Sequence, residues 1–324
     1  MGFDLLNLQP TKVSRDLSGY ITYIYGVPKV GKTTFGTQMP KSLLIAFEKG
    51  YNALGGIKVV DINTWGEFKT LCRELKKPEV QEMYKSLVID TIDVAAALCD
   101  KYICSQLGIE NLGDGGWAVN GWAKYKKEFE ETFRNLTMMG YAVLFISHSQ
   151  DRVFKRKDGT EYNQIVPTAQ KSVNEIAKAM ADIYACAATV NGERKLFLRS
   201  VDEEYDVGCR FKYIEPVIPF SYKDLVNALN AAIDKEAAES NGQFVTDERA
   251  TSEPVRTYNY DALIEEFNNL ITPLMTKNEA YYRPRIASIV EKFLGRGKKI
   301  GDTTPDQAEF VYLINNEIKE DLVK

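Results

Sequence analysis

Gly26-Val27-Pro28-Lys29-Val30-Gly31-Lys32-Thr33 is the stretch that decides the fold. It fits G-x-x-x-x-G-K-[ST], in which glycines let the backbone fold back so that successive N–H groups point inward at a phosphate. The helix that follows adds its positive end. The flanks supply the required context: residues 19–25, GYITYIY, are β-branched and aromatic and predict a strand, and KTTFGTQM predicts a helix opening. The pattern predicts an ATP site in which Gly26, Val27, Pro28, Lys29, Val30, Gly31 and Thr34 surround the phosphates. Lys32 reaches the β- and γ-phosphates, and the Thr33 hydroxyl takes one position on Mg2+. The alternative for an isolated match is a surface turn with no nucleotide.

Working outward, SLLIAF (42–47), SLVID (86–90) and YAVLFIS (141–147) are short apolar runs of the kind buried on both faces of a parallel sheet. Helical patterns lie between them, at Trp65–Lys76 after an Asn63 cap, at Ile92–Leu107 and at Ala123–Met138, with another at Val173–Met180. Strands alternating with helices predict an α/β fold with a mostly parallel sheet. Asn191-Gly192, between ADIYACAATV and ERKLFLRS, predicts a β-hairpin late in this unit. A last strand is expected around Arg210–Ile214 and a helix from Tyr222, closing a core at 1–236. Residues 237–257 read as an acidic flexible linker, and 258–324 as a small helical C-terminal domain with renewed apolar periodicity.

Composition narrows the class. The chain has 324 residues, 44% hydrophobic and 27% charged, with a net charge of −4 and a single histidine, which excludes His-rich metal centres. The five scattered cysteines form neither a disulfide framework nor a zinc site. No apolar run reaches the roughly 20 residues of a membrane span, and MGFDLLNLQP lacks the basic start and apolar region of a secretory signal. Cytoplasmic residence, without a membrane partner, is the expectation. The acidic stretch 234–254 alone carries a net of −4, so the remainder of the chain is neutral overall.

The second half of a nucleotide site is an apolar strand ending in an acid, and Leu87-Val88-Ile89-Asp90 supplies one. Asp90 is expected to hold a magnesium-bound water. The residue after it is Thr91, so a carboxylate to activate water must come from elsewhere. Glu48 closes Leu43-Leu44-Ile45-Ala46-Phe47, and strand ends in open α/β sheets line the ligand crevice. A solvated glutamate paired with Lys49 is the plainer reading of that residue.

These elements together, YGVPKVGKTTF, LLIAFEKG, LVIDTID and LFISHSQD, resemble the compact phage-encoded RecA-like ATPases associated with single-strand annealing. The resemblance covers residues 18–235 and implies a RecA-like core. It implies that Glu48 is the catalytic base, and that His148 stands where RecA proteins place a glutamine that senses the γ-phosphate and relays it to DNA. A purely structural histidine is the other reading. It implies a cation delivered in trans, for which Arg199 is the candidate, with Lys195 and Arg210 behind it. A hairpin edge with solvated charge competes with that role.

RecA-like proteins bind DNA through two loops, and two segments here correspond. Gly108–Gly121 has five glycines and Trp117, suited to stacking on bases. Asp151–Gly159 carries Arg152, Lys155, Arg156 and Lys157 with Phe154 interleaved, suited to phosphate contacts and stacking. A solvated hairpin tip is the alternative there. Between Thr276 and Ile300, seven bases face two acids, a net of +5, which fits a second DNA contact, a partner interface or a plain solvated face.

The leading expectation is an ATP- and Mg2+-dependent homo-oligomer, ring or filament, that binds single-stranded DNA and promotes annealing or exchange in phage recombination, alongside a cognate single-strand-binding protein. It would act in the cytoplasm of an infected or lysogenic bacterium. The alternative is a RecA-fold replicative helicase or helicase loader, ranked second because some eighteen residues precede the first core strand. A nucleotide-gated scaffold and a small-acceptor kinase follow.

Overall fold

Short β-branched and aromatic runs between glycine, proline and polar turns become strands, in a computed structural model that describes residues 10–248 and 258–323. In chain order the strands are β1 (Val13–Ser14), β2 (Ile21–Gly26), β3 (Ser42–Ala46), β4 (Val59–Asp61), β5 (Ser86–Asp90), β6 (Ala142–Ser147) and β7 (Ser149–Lys155). They continue as β8 (Glu161–Pro167), β9 (Ile183–Val190), β10 (Glu193–Phe197), β11 (Gly208–Cys209), β12 (Val217–Pro219) and β13 (Val245–Thr246). The helices are α1 (Lys32–Thr37), α2 (Trp65–Glu74), α3 (Pro78–Met83), α4 (Ile92–Leu107), α5 (Gly116–Val119), α6 (Gly121–Thr137), α7 (Lys171–Met180), α8 (Tyr222–Glu239), α9 (Tyr260–Leu294) and α10 (Ala308–Leu322).

The main sheet runs β12-β10-β9-β2-β6-β5-β3-β4, with β11 also on β9. From β4 to β9 all neighbours are parallel, whereas β10 is antiparallel to both β9 and β12. Because strand side chains alternate, each strand feeds both faces. Tyr23, Leu87, Ile89 and Phe145 pack with Trp65, Phe68, Phe129 and Phe133 from α2 and α6. Ile24, Val88, Leu144 and Ile146 pack with Phe35 of α1 and with Leu225 and Leu229 of α8. Helices therefore cover both faces, as a parallel sheet requires. All parallel strands end at one edge, which is where the crevice forms.

The expected hairpin is present: β9 and β10 join through Asn191 (φ 53°) and Gly192 (φ 82°), both left-handed as a two-residue turn demands. Three local expectations change. The cap of α2 is Thr64 rather than Asn63, because Thr64 and Glu67 form a reciprocal capping box. Arg210–Ile214 is a turn rather than a strand, closed by Ile214 N–H to Phe211 O at 3.3 Å, and the pairing residues lie on either side, in β11 and β12. The linker expected at 237–257 is structured through its described part. α8 runs on to Glu239, and Val245–Thr246 pairs in parallel with Val13–Ser14. Arg15 adds an ion pair to Asp234 at 2.5 Å, so this acidic stretch is tied to the core by charge as well as by backbone. Its remainder, 249–257, lies outside the described residues, as do residues 1–9 and 324.

By contact the chain divides into residues 1–253 and 254–324. In the second unit α9 is broken at Asn278, whose extended backbone (φ −164°, ψ 88°) interrupts the helix. The Asn278 carboxamide then accepts from Tyr281 N–H at 3.1 Å and restarts it. α10 closes on α9 with Ile314 and Ile318 against Phe267, Ile286, Ile289 and Val290. Buried Asn315 donates to Leu263 O and to Glu266, both at 2.9 Å.

Candidate functional site

The site starts at the end of β2. A Cβ on Gly26 would sit 2.3 Å from the carbonyl oxygen of Ala187 on β9, so any side chain here forces the two strands apart. Gly31 has φ 111° and turns the chain into α1, whose N-terminus has no side-chain cap, so its first N–H groups are open to a ligand's oxygens. Lys32, buried, donates from Nζ to Gly26 O at 2.6 Å and to Val27 O at 2.9 Å. Burial lowers its pKa, and the nearby carboxylates of Asp90 and Glu48 oppose that shift. A cation held over its own loop by carbonyls is ready to exchange them for phosphate oxygens, which carry full charge.

Asp90 ends β5, two strands from β2, with β6 between them. It is buried and accepts from Thr33 Oγ1 at 2.7 Å. Desolvation raises its pKa, the Thr33 hydrogen bond opposes this, the charge of Glu48 adds to it, and Lys32 and His148 work against it. A buried carboxylate beside a hydroxyl, both oxygen donors, fits a small hard cation, so Thr33 and Asp90 are the residues that would hold Mg2+. Among the described residues no group of three or more His, Cys, Asp or Glu is placed to hold a metal, so phosphate oxygens and water would complete its shell.

Glu48 follows β3, and its backbone N–H reaches Asp90 O at 3.3 Å. Its carboxylate Oε1 lies 3.3 Å from Nε2 of His148, the residue immediately after β6. Lys32, Thr33, Glu48, Asp90 and His148 thus meet at one end of the sheet, from four different strand ends. Chemically, this set can bind a phosphate chain, hold a cation and hold a carboxylate near the terminal phosphate.

The other candidates are dispersed. Arg199 donates to Phe211 O at 2.6 Å and Lys212 O at 3.0 Å, which engages it within its own chain. The reason is strand direction. β10 runs antiparallel to β9, with Arg194 opposite Thr189 and Phe197 opposite Cys186, so residues after 197 lie away from the loop end. The cation that β10 delivers there is Arg194, whose guanidinium reaches Val30 O at 3.4 Å. The Asn191-Gly192 turn already carried this signal, since it reverses the strand. Lys195 pairs with Glu193 and Arg210 with Asp182.

Residues 151–159 form the arm and tip of a hairpin, β7 with β8, rather than an irregular loop. Arg152 lies over the Phe154 ring at 5.4 Å and Phe154 stacks on Tyr162 at 5.6 Å. Lys155 pairs with Glu161 at 3.2 Å and Arg156 pairs with Glu203, so two of the four cations are locally neutralised. Trp117, in the short α5, is 99% exposed, and Trp122 also faces solvent. In the C-terminal unit Arg283 pairs with Glu279 and Lys292 with Glu317, an acid outside 276–300, so two of the seven bases are locally neutralised.

Sequence reasoning missed Asp93. It lies in the first turn of α4 and accepts from Ser147 Oγ at 3.1 Å and from Thr168 Oγ1 at 2.5 Å. Its only local signal is its place three residues after Asp90, which reads equally well as an ordinary acid in a helix's first turn.

A family model described as an AAA domain matches residues 18–215, the stretch that builds this geometry. A protein of Bacillus subtilis (strain 168), described as "SPbeta prophage-derived uncharacterized protein YorG", is 29% identical over 330 residues, spanning 99% of this chain and 99% of the relative. No helix among the described residues is long and apolar enough to cross a membrane.

Proposed function

Since the chain belongs to the AAA domain family of P-loop ATPases, we propose that it hydrolyses ATP under the control of single-stranded DNA, as an oligomer that promotes strand annealing or exchange in phage recombination. One observation carries the DNA half of this reading. The hairpin β7–β8, which carries Arg152 and Lys157 beside the stacked rings of Phe154 and Tyr162, starts at Ser149, one residue beyond His148, and His148 contacts Glu48 across the site at 3.3 Å. The exposed Trp117 adds a stacking surface, and the likeness to a prophage-derived protein supports the biological setting.

In this reading bound Mg2+ would neutralise charge building on the transferred phosphoryl group. Lys32 grips the phosphates, Thr33 and Asp90 hold the cation, and Glu48 orients and deprotonates water. Arg194, held at Val30 O, supplies the cation at the loop's other side. Partners would be single-stranded DNA, further copies of this chain and a cognate single-strand-binding protein.

The test is ATP turnover with and without single-stranded DNA, alongside annealing of complementary strands. DNA should raise turnover, and Lys32→Ala and Glu48→Gln should each abolish it while the proteins remain folded. Arg152→Ala should lower the salt dependence of DNA binding by about one unit of log–log slope. Absence of DNA retention at low salt refutes the reading, and directional unwinding of a forked duplex replaces it with a helicase.

A further inference from the structure

The two ends of the β7–β8 hairpin are His148 and Thr168, and they are closed on each other by Thr168 N–H to His148 O at 2.9 Å. Asp93 reaches this root from outside it. A single carboxylate oxygen, Oδ1, accepts from Thr168 Oγ1 at 2.5 Å on the returning side and, on the entering side, from Ser147 Oγ at 3.1 Å, whose one proton is shared with His148 O, also at 3.1 Å. Ser147 is fully buried, and Asp93's other oxygen, Oδ2, is buried with no hydrogen-bond partner among the described residues. A carboxylate left half satisfied in this way depends strongly on the two hydroxyls it has.

Asp93 also stands on the element that begins at the site. Thr91, directly after Asp90, is the residue from which α4 starts, so Asp93 and the candidate cation ligand share a helix start and a strand end. A tilt of the hairpin about its root either carries His148, and with it the contact to Glu48, or breaks the Asp93–Thr168 bond. A second tie restrains the same hairpin. The Tyr25 hydroxyl, one residue before Gly26, lies 2.9 Å from Ile165 O in β8.

We infer that Asp93 is a positioning residue that pins the hairpin root, so that nucleic acid bound on β7–β8 moves His148 and thereby sets Glu48 for water activation. The inference rests on the proposed function and deepens it. Asp93 touches no reacting atom. It determines how much of a displacement at the hairpin reaches the carboxylate that does. The bond to Thr168 is the adjustable part of the pin, because Thr168 is exposed whereas Ser147 is not.

The experiment uses the full chain and compares Thr168→Val, Thr168→Ser, Asp93→Asn and the unaltered protein. Four quantities are measured: basal turnover, turnover saturated with an oligothymidine strand, KM for ATP, and affinity for that strand. Thr168→Val keeps the shape and replaces the hydroxyl with a methyl group, which cannot donate to Asp93. It should leave basal turnover, KM and strand affinity within about threefold, and reduce the stimulation factor at least tenfold. Thr168→Ser should restore stimulation, and Asp93→Asn, which keeps an acceptor without the charge, should fall between. If Thr168→Val is stimulated as fully as the unaltered chain, or if it lowers basal and stimulated turnover by one common factor, the coupling role is overturned and the proposed function stands. If the unaltered chain is indifferent to the strand, the proposed function fails and this inference fails with it. Should Asp93→Asn lose its fold, Thr168→Val still separates coupling from its absence.

Discussion

Replacing Gly26 by alanine tests the geometric basis of the whole site, because one added carbon meets a backbone atom rather than a movable side chain. That Cβ would lie 2.3 Å from Ala187 O and 3.3 Å from Ala187 Cβ. Carbon–oxygen contacts across a sheet settle near 3.3 Å, so the overlap is about 1 Å. It can be relieved only by separating β2 from β9, which are paired at this level, Gly26 opposite Ala187. Overpacking of this kind costs about 1–3 kcal/mol, which lowers the melting temperature of a domain this size by about 2–12 °C. The displaced residue also begins the phosphate loop, so affinity for ATP should fall by at least tenfold, equivalent to about 1.4 kcal/mol. Gly50→Ala is the control: nothing lies within 4 Å of its Cβ, and its stability should stay within about 0.5 kcal/mol of the unaltered chain. Thermal unfolding and titration with a fluorescent ATP analogue read both effects. A Gly26→Ala protein with unaltered melting temperature and ATP affinity would refute the placement of the loop against β9.

Lys32→Ala should retain the fold and reduce turnover by at least about 100-fold, the scale of removing a preorganised electrostatic contact, as read by phosphate release. Asp90→Asn should raise the melting temperature near pH 7 in the absence of Mg2+ while abolishing turnover. Burial raises the folded-state pKa of Asp90, so the charged form weakens the fold at pH values above that pKa. As the pH falls from that raised pKa toward the ordinary carboxylate range, the folded protein takes up a proton before the unfolded chain does and the gap between the two proteins should close; a lower melting temperature for Asp90→Asn at pH 7 would contradict the assignment. Trp117→Ala should leave thermal stability unchanged, because the indole is 99% exposed, and should weaken single-stranded DNA binding by about 1–3 kcal/mol in a fluorescence-anisotropy titration.

The parts of this protein legible in its sequence are those whose physics is local. The phosphate loop is readable because its function lies in the backbone of eight consecutive residues, and the strands and their helices because their apolar periods are short. The hairpin at Asn191-Gly192 was readable from two residues that both tolerate a left-handed backbone. Assigning its cation was not a matter of composition: Arg194 and Arg199 look alike in ERKLFLR, and only the antiparallel register places the first at the loop and turns the second onto the carbonyls of Phe211 and Lys212. The acidic stretch after α8 misled because composition reports solvation, whereas the pairing of Val245–Thr246 with Val13–Ser14 joins segments some 230 residues apart.

Glu48, Asp90 and His148 could each be named from a strand end, but their meeting depends on the order β2-β6-β5-β3, which no single strand encodes. Asp93 shows the limit most clearly. Its placement comes from two hydroxyls 54 and 75 residues further along the chain, brought to one oxygen by the packing of α4 beside the root of the hairpin. That a phosphate loop lies at residues 26–33 follows from residue order alone, because a glycine turn with its backbone amides suffices to make one. Which side chains surround it, and what they are tied to, emerges from the folded chain alone, because those distances are set by strand order and direction.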